Sequence, residues 1–172
     1  MNMNNKKNLR FAAKNIRKTL DIKTISTNLR AKIQAHKIYQ TSKNIMLYYP
    51  KDDEINLLEL IKDNKNFYLP RVCADKIGVC PYKQEDEIIK SEFGIMEPIC
   101  DCIDANILDL IIVPALLVDK NHYRLGYGGG FYDKFLAENK NIKTLCAIPK
   151  ELYVQELPHQ NFDMKIDYII TT

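Results

Sequence analysis

The residues best suited to chemistry lie in one stretch, Arg124-Leu-Gly-Tyr-Gly-Gly-Gly-Phe-Tyr-Asp133. Four of the chain's six glycines fall within five positions of it, at 126, 128, 129 and 130. Glycine permits positive φ and lets a ligand approach the backbone without meeting a Cβ, so successive amides can converge on an anion. Residues 132–140 favour a helix, whose N-terminus would add its dipole. With the Arg124 guanidinium beside it, the stretch predicts a phosphate site.

The stretch does not match the common glycine loops. A Walker A loop needs Gly-Lys-Ser/Thr, whereas Gly130 is followed by Phe131 and Tyr132. A dinucleotide-type G-x-G-x-x-G that starts at Gly126 would need glycine at position 131. The alternative is a flexible surface turn. Aromatic rings between the glycines argue against a linker, which would be rich in serine and glycine without large rings.

Basic residues near the N-terminus supply a second candidate anion contact. Residues 4–20 are predicted to form an amphipathic helix. Its apolar face carries Leu9, Ala13, Ile16 and Leu20, and its basic face carries Lys6, Arg10, Lys14 and Lys18. Lys6 and Arg10 lie one turn apart and could reach a common nucleotide phosphate. A solvated charged face is the alternative, and the sequence leaves both open.

Acidic residues follow the first predicted strand, which covers residues 44–49. Asp52, Asp53 and Glu54 follow Pro50 and Lys51, near the start of a helix predicted over residues 51–62. They could cap that helix through its dipole. One of them could instead bind donor groups of a substrate, because ligands of open α/β sheets dock at the carboxyl ends of strands.

The elements that would position these residues alternate between strand and helix. Ser26 is predicted to cap a second helix that extends to about Gln40, with Leu29 and Ile33 facing inward. Residues 85–102 are less regular, and within them residues 91–98 read as a folded loop. Residues 116–119 continue toward the glycines. Further strands are predicted over residues 66–70, 77–82, 109–114, 143–148 and 166–171. This order predicts an α/β fold, a three-layer αβα sandwich that is Rossmann-like with a largely parallel central sheet.

Composition limits the other possibilities. With 172 residues, 46% of them hydrophobic, the chain is expected to form one domain over residues 1–172. The net charge of +3 is too small to indicate nucleic acid or a membrane as partner. No apolar run approaches the ~20 residues of a membrane-spanning helix, and the basic N-terminus lacks the apolar core of a signal peptide. The five cysteines lack paired spacing, which argues against a zinc site and favours reduced thiols in the cytoplasm.

The stretch Arg124–Asp133, preceded by Val118-Asp119, resembles the signature of the 5-formyltetrahydrofolate cyclo-ligase family, also called methenyltetrahydrofolate synthetases. Five further motifs, spread along nearly the whole chain, match the same family. They are Lys6-x-x-x-Arg10, Asp53-Glu-Ile-Asn, Tyr68-Leu-Pro-Arg71, Phe93-Gly-Ile-x-Glu-Pro98 and Asp163-Met-Lys-Ile-Asp167. The chain departs from the family pattern at His122, where glycine is usual, at Phe131, where tyrosine is common, and at the variable position Met96. Because of His122, the sequence does not decide the geometry of the turn before Arg124.

The resemblance implies an activity: ATP- and Mg²⁺-dependent cyclisation of 5-formyltetrahydrofolate to 5,10-methenyltetrahydrofolate, with release of ADP and phosphate. It also implies roles. Arg124 and Glu54 would be catalytic, and Asp133 and Asp163 would hold Mg²⁺. Tyr49, Glu54, Phe93 and Tyr132 would contact the folate. The ATP phosphates would lie against Lys6, Arg10, Arg124, Leu125, Gly126, Tyr127, Gly128, Gly129, Gly130, Phe131 and Tyr132. The expected partners are small molecules only, and we expect a monomer.

Each role has a plain structural alternative. Asp133 could be a helix N-terminal charge, Asp163 a turn residue, and Tyr49 and Phe93 core aromatics. Two other functions also fit parts of the sequence. A sugar-phosphate isomerase or CoA-transferase-like enzyme would bind phosphate on a glycine loop without needing ATP. A folate- or nucleotide-binding protein without turnover would need no Mg²⁺ ligands.

Overall fold

The computed structural model describes residues 3–51, 53–92 and 94–172. The helices are α1 (Met3–Lys18), α2 (Ile22–Ala35), α3 (Lys37–Thr41) and α4 (Phe131–Glu138), with 3-10 turns at Leu58–Lys62, Ala105–Ile107 and Lys150–Leu152. The strands are β1 (Asn44–Met46), β2 (Asn66–Cys73), β3 (Lys76–Pro81), β4 (Ile88–Lys90), β5 (Met96–Pro98), β6 (Leu110–Ile112), β7 (Leu117–Asp119), β8 (Arg124–Leu125), β9 (Lys143–Ile148), β10 (Tyr153–Val154) and β11 (Tyr168–Thr171). No helix within these ranges is long and apolar enough to cross a membrane.

A six-stranded sheet organises the described chain, in the order β11-β9-β6-β1-β2-β3. Neighbouring strands are parallel from β11 to β2, and only the edge strand β3 is antiparallel. All three residues of β6 are buried, as expected for a strand that is covered on both faces. The predicted α/β fold with a largely parallel sheet is confirmed.

Helices cover both faces of this sheet. Ile45, Leu110 and Leu145 belong to a core that also contains Leu29 and Ile33 of α2. Their strand neighbours Met46, Ile111 and Cys146 belong to a second core, with Ala13 of α1 and Phe135 and Leu136 of α4. Because successive side chains of a strand point to opposite faces, the two cores lie on opposite sides of the sheet. The arrangement is the predicted αβα sandwich.

Two small sheets were not predicted. Strand β7 pairs with β8 and β10 in a three-stranded sheet of its own. Strands β4 and β5 form an antiparallel pair, with Ile88 opposite Pro98. The loop predicted over residues 91–98 was therefore wrong at Met96–Pro98, because a strand of three residues is too short to show a period in the sequence.

The second helix begins earlier than predicted. Asp21 caps α2, since its side chain accepts a hydrogen bond from Thr24 N. Ser26 is buried inside the helix, donates to Ile22 O and accepts from Asn56 N. The predicted cap at Ser26 was therefore wrong. The helix also ends at Ala35 rather than near Gln40, because His36 is extended, and α3 starts after it.

The helix predicted over residues 51–62 was also wrong. Only the 3-10 turn Leu58–Lys62 forms. Side chains satisfy the backbone amides before it: Glu54 accepts from Lys51 N and Ser26 from Asn56 N. The bond from Asn56 N to Ser26 takes the place of an intrahelical bond that a regular helix would have made at that position.

The first helix is confirmed, and its buried face contains an unexpected residue. Ala13 is buried as predicted, whereas Ile16 is 38% exposed. Arg17 occupies the buried position instead, with 2% of its surface exposed. A pattern that counts arginine as polar assigns it to the solvent face, which is why the sequence missed it.

The cysteines also differ from expectation. Cys80 and Cys100 are joined by a disulfide in the structure, so the prediction of five reduced thiols was wrong for this pair. Cys73, Cys102 and Cys146 are free, and of these only Cys146 is buried.

Candidate active site

A cavity of about 430 Å³ opens where β1 and β6 end, the edge at which ligands of α/β sheets dock. Tyr48 and Tyr49 line it after β1, and Pro114 lines it after β6. Every predicted site residue that the structure describes lines this one cavity, namely Lys6, Arg10, Tyr49, Glu54, Arg124, Leu125, Gly126, Tyr127, Gly128, Gly129, Gly130, Phe131, Tyr132, Asp133 and Asp163. Phe93 lies outside the described residues. The volume of the cavity is ordinary for a small-molecule site.

The glycine stretch forms the turn between β8 and α4. Gly128 has φ 108° and Gly130 has φ 70°, values that residues with a Cβ rarely adopt. Gly130 is the N-cap of α4, and no side chain of the described residues caps the helix there. The turn therefore presents an uncapped helix N-terminus to the cavity, as the sequence predicted, and the arrangement suits an anion.

The first helix docks directly onto this turn. Arg10 Nε donates to Gly126 O at 2.8 Å. A Cβ at Gly128 would lie 3.3 Å from Arg10 Cζ, so glycine lets the guanidinium approach the backbone. The Arg10 side chain is therefore half-buried in the cavity wall, whereas Lys14 and Lys18 of the same basic face are exposed.

Arg124 is the most confined cation of the cavity. Its side chain is 4% exposed, and Nη2 lies 3.3 Å from Asp133 Oδ1. Among the described residues, Nε and Nη2 find no hydrogen-bond partner. Buried N–H groups are costly to leave unpaired, so the ion pair with Asp133 is the main compensation for burying this guanidinium.

The two carboxylates predicted to hold a metal are each held by a cation and a backbone amide. Asp133 Oδ1 accepts from Met164 N at 3.1 Å and faces Arg124. Asp163 Oδ2 accepts from Gln160 N and pairs with Lys6 Nζ at 2.5 Å. Since Met164 follows Asp163 in the chain, the bond from Met164 N brings the two carboxylates to the same side of the cavity.

Acidic and aromatic groups lie next to each other in the cavity lining. Glu54 is buried and fixed by the bond from Lys51 N at 2.8 Å. Burial, together with the neighbouring Glu54 carboxylate, raises the pKa of the Tyr127 hydroxyl far above its ordinary value. Burial likewise raises the pKa of Tyr132. Both phenols therefore stay protonated and can act as hydrogen-bond donors beside the carboxylate.

Comparison with known proteins decides the family. The family model described as the 5-formyltetrahydrofolate cyclo-ligase family matches residues 2–172. The chain belongs to the 5-formyltetrahydrofolate cyclo-ligase family. The resemblance read from the sequence motifs is confirmed, and with it the prediction of an enzyme of this family.

Individual relatives agree with that assignment. The 5-formyltetrahydrofolate cyclo-ligase of Haemophilus influenzae is 30% identical over 171 residues, covering 85% of this chain and 91% of the relative. The mouse protein of the same name is 29% identical and covers 83% of this chain and 79% of the relative. The solved structure of 5,10-methenyltetrahydrofolate synthetase from Aquifex aeolicus superposes with a TM-score of 0.82 at 27% identity, covering 96% of this chain and 89% of that one.

The structure shows how the turn accommodates His122, at a position where the cyclo-ligase pattern usually has glycine. His122 has φ 71°, the left-handed region that favours glycine. Two contacts hold it there: His122 N donates to Asp119 O at 3.0 Å, and Nδ1 lies 2.6 Å from Ile166 O. The buried Asp119 carboxylate fixes the same turn by accepting from Asn121 N and Tyr123 N. The turn before Arg124 is thus held by side chains.

The sequence missed several residues of the site. Glu97 lines the cavity at 4% exposure, and its Oε1 has no hydrogen-bond partner in the described chain. Its presence in the Phe93–Pro98 motif was the available signal. Lys51 lines the cavity too, with Nζ 4.9 Å above the Tyr127 ring. In the sequence, a lysine after a proline looks like an exposed residue, so nothing indicated this contact.

Arg17 was missed as well, although it supports the site from behind. Nη1 donates to the Tyr127 hydroxyl at 2.9 Å, and Nη2 donates to Ala115 O at 2.6 Å. The residue therefore joins α1, the strand-end segment after β6, and the glycine turn. It is a positioning residue that does not line the cavity.

The Arg17→Ala variant is expected to lose about 2–4 kcal/mol of unfolding free energy, because it leaves a buried carbonyl and a buried hydroxyl without their donor. Urea denaturation followed by circular dichroism measures the loss. The matched control is Lys18→Ala, an exposed neighbour in the same helix, which should stay within about 0.5 kcal/mol of the parent. Equal denaturation midpoints for the two variants would contradict the supporting role of Arg17.

Proposed function

We propose that the protein catalyses the ATP- and Mg²⁺-dependent cyclisation of 5-formyltetrahydrofolate to 5,10-methenyltetrahydrofolate, releasing ADP and phosphate. The observation that carries the proposal is the cavity itself. Its lining combines a buried guanidinium, an uncapped helix N-terminus and two cations of α1 with carboxylates and aromatic rings. The cations and the helix N-terminus suit a polyphosphate, and the carboxylates and rings suit a flat heterocycle with N–H donors.

The phosphate end would bind ATP through residues of three elements. Arg124 would donate to the transferred phosphoryl group with the N–H groups that lack a partner in the described chain. Lys6 and Arg10 of α1 would add positive charge from the other side. The glycine turn, from Leu125 to Tyr132, would place its backbone against the phosphates, which the absence of Cβ atoms permits.

The carboxylates Asp133 and Asp163 would hold Mg²⁺. The described residues gather no group of three or more metal-binding side chains, which fits Mg²⁺, because this ion usually takes one or two carboxylates and completes its shell with phosphate oxygens and water. The Asp133 side chain is 21% exposed and the Asp163 side chain is 11% exposed. Each of them already faces a cation. When bound, the ion would neutralise charge on the phosphates.

The folate end would lie against Tyr49, Glu54 and Tyr132. Glu54 is positioned to accept hydrogen bonds from ring N–H groups or to orient the formyl-bearing nitrogen, because a backbone amide fixes its carboxylate. Glu97 offers a second buried acceptor on the same cavity. Phe93 stays a predicted folate contact from the sequence.

The reaction would proceed by phosphorylation of the formyl oxygen. That oxygen attacks the γ-phosphorus and ADP leaves, which converts a poor leaving group into phosphate. The second folate nitrogen then attacks the activated carbon, phosphate departs, and the ring closes. Such transfer depends on positioning and charge neutralisation, so Arg124 carries the largest role and no protein nucleophile is needed.

The direct test is a spectrophotometric assay with purified protein, Mg·ATP and 5-formyltetrahydrofolate. The near-ultraviolet band of the conjugated methenyl product should grow only when both ATP and Mg²⁺ are present. Turnover without ATP would favour the isomerase or transferase alternative. Calorimetric binding of both substrates without product would favour a binding protein, and no binding of either would overturn the proposal.

We further propose that residues 1–172 act as one domain, as a cytoplasmic monomer with small molecules as its only partners. The net charge of +3 supports this, since it offers no strong field for nucleic acid or an anionic membrane. Size-exclusion chromatography with light scattering would test the monomer.

A further inference from the structure

Four of the five cysteines form a cluster away from the active-site cavity. Cys73 ends β2, Cys80 lies in β3, and Cys100 and Cys102 follow β5. Cys80 and Cys100 are bonded, with their Cα atoms 6.1 Å apart. Cys102 Sγ lies 3.5 Å from Cys73 Sγ and 3.8 Å from Cys80 Sγ. Three separate segments thus bring four sulfur atoms into contact.

The backbone around the cluster is held in place. A Cβ at Gly78 would overlap the Cys102 sulfur, so glycine at this position of β3 provides the room that the sulfur occupies. Ile103 N donates to Val79 O at 2.9 Å, which fixes the residue next to Cys102 against β3. Arg71 Nη1 donates to Cys100 O at 2.8 Å. The contact between sulfurs therefore follows from the fold of both segments.

Access to the cluster is also favourable. Cys73 and Cys102 are exposed, whereas Cys146 is buried in the core of the sheet. Burial and the hydrogen bond with Cys73 raise the pKa of the Cys102 thiol to about 11. The exposed pair is thus reachable by small oxidants but reacts slowly at neutral pH, because the thiolate is the reactive form.

We propose that the four cysteines form a thiol–disulfide redox site, which takes up a second disulfide, Cys73–Cys102, beside Cys80–Cys100. The oxidant is a peroxide. One thiolate of the pair attacks a peroxide oxygen and becomes a sulfenic acid as the other oxygen leaves in water. The partner sulfur then attacks the sulfenic sulfur, the S–S bond forms, and the hydroxyl leaves as a second water. Two thiols are oxidised and one peroxide is reduced.

Formation of the second disulfide would constrain two segments that line the cavity. Val72 and Ile77 line the cavity from β2 and β3, and Ile95 and Glu97 line it from the segment of β5. Both disulfides would cross-link the β2–β3 pair to the segment that follows β5, and Cys73 directly follows the lining residue Val72. Oxidation would therefore fix the wall without touching the glycine turn.

Thiol counting on the whole protein tests the proposal. After full reduction, denatured protein should show all five thiols. After treatment with excess hydrogen peroxide and removal of the oxidant, only Cys146 should titrate, the mass should fall by four hydrogens, and peptide mapping should find Cys73 linked to Cys102. The Cys102→Ser variant should keep Cys80–Cys100, leave Cys146 free and form no intramolecular disulfide at Cys73, which peptide mapping would show. Cys146→Ser is the control and should leave no thiol.

Three results would overturn the proposal. Cys73 and Cys102 could both remain free or convert to sulfinic acids without cross-linking. They could link separate molecules, which non-reducing electrophoresis would reveal. The isolated protein could instead hold about one zinc per chain and resist peroxide until a chelator is added, which would make the reduced cluster a thiolate metal site.

Discussion

Replacing Arg124 by lysine is expected to lower kcat by about 100- to 1,000-fold, the usual loss when one positioned donor to developing charge is removed. Lysine keeps the positive charge but lacks the planar fork that lets arginine donate to two oxygens at once. The change falls on a side chain that is 4% exposed, with two N–H nitrogens that lack a hydrogen-bond partner among the described residues. Steady-state kinetics on the methenyl product measure it.

A matched control separates the role of Arg124 from a general effect of the substitution. Arg30 lies on α2, which packs against the opposite face of the sheet, and it does not line the cavity. Arg30→Lys should therefore turn over at the parent rate. If Arg124→Lys also stayed within about threefold of the parent while folding normally, fork geometry at this position would not contribute to catalysis.

The Asp133→Asn variant is expected to need at least 10-fold more Mg²⁺ for half-maximal rate and to lose about 100-fold in kcat, because a metal ligand contributes several kcal/mol. Asparagine keeps the shape and the carbonyl oxygen that can still accept from Met164 N. It removes the charge that would hold the metal and that faces Arg124 at 3.3 Å. The rate is followed across a Mg²⁺ titration at fixed ATP.

Binding provides an independent readout for the same variant. Calorimetry with ATP in the presence of Mg²⁺ or of a chelator should show metal-dependent affinity for the parent and little metal dependence for Asp133→Asn. Asp75→Asn is the control, because Asp75 is exposed and pairs only loosely with Lys134 at 3.5 Å. An unchanged Mg²⁺ requirement in Asp133→Asn would remove this carboxylate from the metal site.

The parts of the molecule that could be predicted from sequence are those whose signals are local. The glycine turn was readable because positive φ at Gly128 and Gly130 demands the residue type itself. The buried strands β6 and β9 were readable because continuous apolar residues are typical of parallel strands. The other cavity residues, among them Lys6, Glu54 and Asp163, could be predicted only through the resemblance to the cyclo-ligase motifs.

The parts that could not be predicted depend on partners distant in sequence. Arg17 is buried because Ala115 O and the Tyr127 hydroxyl accept its hydrogen bonds, and no window around residue 17 contains them. Ser26 lies inside α2 and does not cap it. Its hydroxyl accepts a hydrogen bond from Asn56 N, 30 positions later in the chain. Spacing could not reveal the cysteine cluster either, since pairing of β2 with β3 brings its members together.

The ion pair between Lys6 and Asp163 joins residues 157 positions apart, and this has a consequence for protein synthesis. The ribosome makes α1 first, so Lys6 and Arg10 leave the exit tunnel long before Asp163 is translated. Contacts between residues so far apart in sequence form late, because the long loop between them must first be closed. A nascent chain stalled before residue 163 can therefore build much of the sheet, yet it cannot assemble the phosphate end of the cavity until translation has passed that point.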